Sequence, residues 1–292
     1  MLRIALPNKG RLADDMRALF ADAGLEINAR GERALTASLG GLFEGIFVRA
    51  QDIPEFVADG AADVGITGWD LIQESGRALE TLADLELGQC RLAVAATDES
   101  GIHSLADIRH GARVATSFPR VTAEYFRQAC LDIALVPVSG AAEIAPHLGI
   151  ADVIVDLVSS GSTLRVNGLH EVATILQSSA RLVVAPLAAS RTTGGSFERA
   201  EAIRDLVSAL ESVIRARGQR YVMSNVPRER LEDVRRILPG LNGPTVIDIL
   251  DGGRFVAVHA VVRAAGIYRT LRELRAIGAE GVLVTRIERL VP

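Results

Sequence analysis

Residues Glu143 to Leu169, EIAPHLGIADVIVDLVSSGSTLRVNGL, contain the pattern that sets the fold class. Val153-Ile154-Val155 is continuous and β-branched, which reads as a strand buried on both faces in a parallel sheet. Asp156 stands where that strand emerges. Ser159-Ser160-Gly161-Ser162-Thr163 follows, and Leu164-Arg165-Val166 opens a helical turn. Open α/β sheets bind ligands at the carboxyl edge of their strands, so the acid and the hydroxyl-rich loop occupy the ligand-binding edge.

The chemistry of this loop suits an anion. Glycine lets the backbone approach closely, the first N–H groups of a helix lack partners, and Ser and Thr hydroxyls add donors. A carboxylate such as Asp156 accepts from two neighbouring hydroxyls, which ribose offers at its 2′ and 3′ positions. Acid plus anion loop points to a ribose 5-phosphate. The competing account is that Ser160 and Thr163 cap a helix while Asp156 decorates a turn. A short Ser/Gly motif alone would favour that account; the length of this pattern favours the ligand.

With 292 residues, 49% of them hydrophobic, the chain has material for more than one core. A net charge of −4 gives no broad basic field for nucleic acid, so a small anionic substrate met by local arginines fits better than a polymer. The opening MLRIALP enters a strand directly, without signal-peptide organisation, and no apolar run approaches the ~20 residues that span a bilayer. A soluble cytoplasmic protein is expected. Cys90 and Cys130 lie in apolar or amphipathic segments and read as buried thiols of a reducing compartment. The five histidines show no ligand-set spacing, so a tightly held structural metal is not expected.

Strands are predicted at 3–6, 45–49 and 64–66, with helices at 12–23 and 53–59. The alternation is α/β. A weak internal echo, G-x-A-D-V at Gly60–Val64 and Gly149–Val153, suggests two similar lobes. Arg91–Ala96 is then the first crossover and Leu182–Ala185 the return strand. A long helical pattern at Phe197–Arg217 ends at Gly218. Beyond it come strand 221–226, helix 228–238, strand 246–250, a hairpin turn at Asp251-Gly252-Gly253, strand 255–262, helix 267–277 and strand 281–287. The order β-α-β-β-α-β is ferredoxin-like.

Glu143, Gly149, Ala151, Ile154, Asp156, Leu157, Ser160, Gly161, Thr163 and Leu164 resemble, in order and spacing, the signature of the ATP phosphoribosyltransferase family, which opens histidine biosynthesis. Ile4–Leu12, Arg49–Pro54 and Gly65–Asp70 are similar to three further active-site segments of that family, and Ala115–Pro119 to its hinge-side loop. The resemblance implies a two-lobed catalytic core of the type II periplasmic-binding-protein-like kind. It also implies the long form of the family, with a C-terminal ferredoxin-like (ACT-like) α+β domain for feedback inhibition by histidine. The implied division is residues 1–90 with 182–217 as the first lobe, 91–181 as the second and 218–292 as the regulatory domain.

The implied reaction is a glycosyltransferase step, pentosyl transfer from phosphoribosyl pyrophosphate to N1 of ATP. Asp156, Ser159, Ser160, Gly161, Ser162, Thr163 and Leu164 are then expected at phosphoribosyl pyrophosphate, with Arg11, Arg33 and Asp156 in catalysis. Lys9, Arg11, Arg49, Asp70, Thr116 and Glu143 are expected at ATP, and Thr122 alongside Thr116. Each has a plainer account, such as a solvated cation for Lys9 and Arg11, an ion pair for Arg49, or a helix cap for Asp70. Asn225, Gly243, Thr245 and Leu283 are expected at the inhibitor. Mg²⁺ is expected to arrive mainly through the substrate, with no protein ligand, and the assembly to run from homodimer to hexamer. The alternative function is a two-lobed binding or effector-sensing protein without catalysis.

Overall fold

The computed structural model describes residues 1–29, 31, 34–186, 196–250 and 252–291. Its first strand, β1 (Leu2–Pro7), buries Ile4, Ala5 and Leu6 completely, as a central parallel strand requires. Gly10 supplies the φ of 87° that turns the chain into α1 (Arg11–Asp22). That helix lays Ala13, Met16, Leu19 and Phe20 into the core at helical spacing. β4 (Phe43–Val48) and β5 (Val64–Gly68) flank β1 in parallel, joined through α2 (Ile53–Ala58). The short hairpin β2 (Ile27–Ala29) and β3 (Thr36–Leu39) extends the sheet beyond β4. Neither strand was legible in advance, because three or four residues are too few for an alternation, even the exposed–buried one of Thr36–Leu39, to stand out from chance.

After α3 (Trp69–Ser75) and β6 (Glu80–Asp84), β7 (Cys90–Thr97) carries the chain into a second sheet. Its other members are β8 (Ala112–Thr116), β9 (Ile133–Pro137), β10 (Val153–Val158) and β11 (Leu169–Ser178), with α4 (Pro119–Gln128) after β8 and α5 (Ser162–Val166) after β10. β12 (Ala180–Val184) returns to the first sheet. The sheets run β2-β3-β4-β1-β5-β12-β6 and β11-β7-β10-β8-β9. From β4 in one and β9 in the other, both follow one order: second, first, third, crossover and fourth strand. In each, the crossover strand is antiparallel to both neighbours. This is the expected two-lobed, type II periplasmic-binding-protein-like α/β fold.

The sequence echo marks equivalent places in the two lobes. Asp63 precedes β5 and Asp152 precedes β10, each the third strand of its lobe. The Asp63 carboxylate accepts from the Arg3 N–H (2.7 Å) while its own N–H donates to the Arg3 carbonyl (2.9 Å). Asp152 repeats both bonds with Arg113 at 2.8 Å each. The aspartate thus ties the start of the third strand to the start of the first in both lobes.

The chain forms two compact units, Met1–Val207 and Ser208–Pro292, with the division inside α6 (Ser196–Ala216). The second unit contains β13 (Gln219–Pro227), α7 (Leu231–Ile237), β14 (Thr245–Asp248), β15 (Phe255–Arg263), α8 (Ile267–Ala276) and β16 (Glu280–Arg286). Its antiparallel sheet, β14-β15-β13-β16, has the ferredoxin-like order. Val222, Val226, Val256 and Val258 face Val234 of α7 and Leu274 of α8 in one core. Asp251 of the anticipated turn lies outside the described residues. Cys130, expected to be buried, is exposed: it has φ 56° in the turn that ends α4, where the chain reverses outside the helix's apolar face.

Candidate functional site

Because β1, β4 and β5 are parallel, their carboxyl ends share one edge of the first lobe. Lys9 and Arg11 follow β1, Arg49 follows β4 and Asp70 follows β5. The Asn8 N–H donates to the Val48 carbonyl at 2.9 Å, tying two of these loops together. Lys9, Arg11 and Arg49 are exposed, and among the described residues Arg11 pairs only with Asp15, 4.0 Å away on the same helix. Solvated cations clustered at a strand edge can meet phosphate without first breaking strong internal pairs. Arg33 lies outside the described residues.

Asp70 is buried in the first turn of α3. Its N–H donates to Ser178 Oγ at 3.1 Å, and the Ser178 hydroxyl donates back to its carboxylate. Burial pushes the Asp70 carboxyl above the usual range, and the Ser178 bond opposes that shift. Gly68 makes room for it: a Cβ there would stand 2.3 Å from Asp70 Oδ1. The Cys90 thiol is pushed up by burial and then by the charge of Asp70, while Ser178 and Arg11 act in the opposite sense. Arg11, Asp70, Cys90 and Ser178 are therefore one electrostatic neighbourhood where the chain crosses between lobes. A cleft of about 400 Å³ opens there, lined by Gln89, Cys90, Arg91, Ser159, Gln177 and Ser178 among others.

In the second lobe β8, β9 and β10 are parallel, and their carboxyl edge gathers Thr116, Glu143 and the Asp156–Leu164 segment. Asp156 is half-buried. Its carboxyl is raised by burial, lowered by the Leu157 N–H donating at 2.7 Å, and raised again to a smaller extent by the charge of Glu143. Ser160 and Ser162 join their hydroxyls at 2.9 Å, and Gly161 takes φ 72°. Ser159, Ser160, Ser162 and Thr163 are exposed while Leu164 anchors the turn in the core. α5 starts from Gly161, which offers no side-chain cap, while Ser160 Oγ accepts from the Ser162 N–H at 3.4 Å, a long capping-type bond to the first residue of the helix.

Thr116 and Thr122 are fully buried, and the Thr116 hydroxyl accepts from the Phe118 N–H (2.9 Å) and the Thr122 hydroxyl (3.3 Å). Both hydroxyls brace the loop into α4. The Glu74 carboxylate, on α3 of the first lobe, accepts from the Arg120 and Val121 N–H groups of α4 at 2.9 and 3.0 Å. In the second unit Thr245 lies opposite His259, His259 opposite Met223, and Met223 opposite Leu283. Thr245 and Leu283 are thus three strand spacings apart, about 14 Å. Asn225 lies further along β13 and Gly243 in the loop before β14, so the four are spread over the sheet, consistent with the expectation of a site where two such domains could meet.

Ser178, Arg91 and Glu171 were missed in the sequence, and no local signal could have found them. Ser178 meets a residue 108 positions away, and Arg91 meets Glu171 across 80. Among the described residues no group of three or more His, Cys, Asp or Glu side chains is placed to hold a metal ion, and no helix is long and apolar enough to cross a membrane.

The family model described as HisG, ATP phosphoribosyltransferase, matches residues 49–212, and that of the HisG C-terminal domain matches residues 216–289. A curated ATP phosphoribosyltransferase of Gemmatimonas aurantiaca is 66% identical over the whole of both chains, and one of Methanocaldococcus jannaschii is 40% identical, again over both entire chains. Among solved structures, an ATP phosphoribosyl transferase (HisG:HisZ) complex from Thermotoga maritima superposes with a TM-score of 0.63 at 27% identity, covering 74% of this chain and 98% of that one. End-to-end likeness of this degree, carried through the Asp156 loop and the C-terminal unit alike, means that the chain belongs to the ATP phosphoribosyltransferase family.

Proposed function

We propose that the chain transfers the 5-phosphoribosyl group of phosphoribosyl pyrophosphate to N1 of ATP, giving N1-(5-phosphoribosyl)-ATP and pyrophosphate as the first step of histidine biosynthesis. The observation that carries this reading is the half-buried Asp156, leading into a loop of exposed hydroxyls and backbone donors at a strand's carboxyl end. In this reading Asp156 accepts from the ribose hydroxyls, and Ser159–Leu164 hold the 5-phosphate. Glu143 contacts the nucleotide or steadies the ribose.

The barrier is electrostatic. The C1′–O bond to pyrophosphate breaks as the adenine N1 lone pair forms the new C1′–N bond, so the ribose gains positive charge and the leaving oxygens negative charge. Carboxylates on the ribose side and Lys9, Arg11 and Arg49 on the phosphate side match that polarity, with Arg33 a further candidate. Mg²⁺ bound through the substrate's pyrophosphate oxygens would supply additional counter-charge. Adenine N1 already carries a lone pair, so positioning contributes more than general-base catalysis. Asp70 is the acceptor proposed for the nucleotide's adenine or ribose donors.

We further propose a cytoplasmic location, homodimers that associate into hexamers, and feedback inhibition by histidine through the C-terminal unit. In the test, ATP, phosphoribosyl pyrophosphate, Mg²⁺ and a pyrophosphatase are mixed with protein, and the near-ultraviolet absorbance of N1-alkylated adenine is followed with and without histidine. A rise suppressed by histidine in the intact chain, but not in one ending at Arg217, is expected. No rise while both substrates bind would leave a binding protein instead, and equal inhibition of both chains would remove the regulatory role.

A further inference from the structure

Arg91 begins the crossover strand β7, where antiparallel pairing sets it opposite Val158, the last residue of β10. One guanidinium serves two partners there. Nε donates to Glu171 Oε2 at 2.7 Å, Nη2 pairs with Glu171 Oε1, and Nη1 donates to the Ser159 carbonyl at 3.2 Å. From the helical side of the loop, Arg165 Nη1 reaches the Ser160 carbonyl at 3.4 Å. Gly161 lies against the same charges: a Cβ built on it would be 3.3 Å from Arg165 Nη1 and 3.6 Å from Glu171 Oε1. Two consecutive loop carbonyls are therefore engaged by arginines, one of them fixed by a carboxylate from β11.

The peptide group translates this into function. In a trans peptide the C=O and the following N–H point in opposite directions, and no cis bond occurs among the described residues. Holding the Ser159 and Ser160 carbonyls against Arg91 and Arg165 turns the N–H groups of Ser160 and Gly161 the other way. Those two N–H groups find no acceptor among the described residues. Consecutive N–H groups presented together form an anion-binding concavity, and a cation on each carbonyl polarises its peptide so that the N–H donates more strongly.

We propose that Arg91, Arg165 and Glu171 are positioning residues for the phosphoribosyl group: the arginines orient the Ser160 and Gly161 N–H donors toward its 5-phosphate, and Glu171 fixes Arg91 for that task. This rests on the loop reading given under the proposed function. Glu171 acts only through Arg91, and the arginines act through the loop carbonyls they hold.

The test combines steady-state kinetics with calorimetric binding of ribose 5-phosphate to the full chain. Arg91→Met is expected to weaken ribose 5-phosphate about tenfold and raise KM for phosphoribosyl pyrophosphate by a similar factor, while KM for ATP stays within about twofold. Arg91→Lys should regain most of the loss, because an ammonium still reaches the carbonyl. Glu171→Gln should have a smaller effect, and none beyond that of Arg91→Met in the double variant. Should Arg91→Met not fold, Glu171→Gln and Arg165→Met carry the comparison.

Unchanged ribose 5-phosphate affinity in all folded variants, or equal rises in both KM values, would overturn the proposal. A wild-type chain that binds ribose 5-phosphate and loses it in Arg91→Met, yet makes no phosphoribosyl-ATP, would refute the transfer reaction and support the positioning role. A wild-type chain that does not bind ribose 5-phosphate would remove both.

Discussion

Gly68→Ala tests how the buried Asp70 carboxylate is held. Gly68 has φ −67° and ψ 143°, which alanine adopts freely, so by backbone alone the substitution should stabilise by about 0.4–1 kcal/mol through the unfolded chain. The new Cβ, however, would sit 2.3 Å from Asp70 Oδ1, against a tolerable minimum near 3.0 Å, and the three nearest atoms all belong to Asp70. The carboxylate must retreat, and its bond with the Ser178 hydroxyl is lost or stretched. A hydrogen bond to a charged group is worth about 1.5–3 kcal/mol, so the net expectation is a loss of about 1–2 kcal/mol. In an Asp70→Ala background the obstacle is gone and the sign should reverse, Gly68→Ala then stabilising by about 0.4–1 kcal/mol. Urea unfolding followed by Trp69 fluorescence suits the cycle, because this single tryptophan lies between the two positions and in the first unit. Gly65→Ala is the control: its Cβ would meet methyls of Ile53 and Val57 at 2.5 and 2.7 Å, costing about 1–3 kcal/mol in both backgrounds. An equal cost of Gly68→Ala with and without the Asp70 carboxylate would refute the reasoning.

Asp156→Asn should lower kcat/KM for phosphoribosyl pyrophosphate about hundredfold with no loss of thermal stability, since burial already disfavours this carboxylate; wild-type kinetics would exclude the assignment. Asp70 has its folded pKa raised, so the native state binds more protons than the unfolded chain between the two values, and unfolding free energy falls as pH rises through that window. Asp70→Asn should therefore gain stability relative to wild type above the window and lose that gain below the ordinary aspartate value; a difference independent of pH in thermal melts would contradict it. Glu74→Ala removes the acceptor of two α4 N–H groups and should cost about 0.5–2 kcal/mol, with Glu74→Gln, which keeps one strong acceptor, in between. Equal melting temperatures for all three chains would show that this link between lobes contributes nothing.

The strands at the site were legible because their sequence signal is local. Val153-Ile154-Val155 is apolar without alternation, and only a strand covered on both faces tolerates that. The βαββαβ unit announced itself in the same way, through inward-facing Val256 and Val258 and through turns rich in glycine. The hairpin of β2 and β3 was not legible, and neither was the exposure of Cys130, which depends on where a helix ends rather than on the composition around it.

Residue types and their spacing determined that this chain is α/β with a ferredoxin-like unit, and that Asp156 leads a loop of hydroxyls and glycine; the two lobes were only hinted at by a weak echo and implied by the family resemblance. Local pattern suffices for those conclusions, since periodicity and turn chemistry act within a few residues. Only the tertiary structure decided that Asp70 is buried against Ser178, that Thr116 faces inward, that Thr245 and Leu283 stand at opposite edges of a sheet, and that Arg91 and Glu171 grip the loop from strands eighty residues apart. Strand register and the crossing between lobes bring such partners together. Because those are set by the packing of the whole core, no short window of sequence contains them.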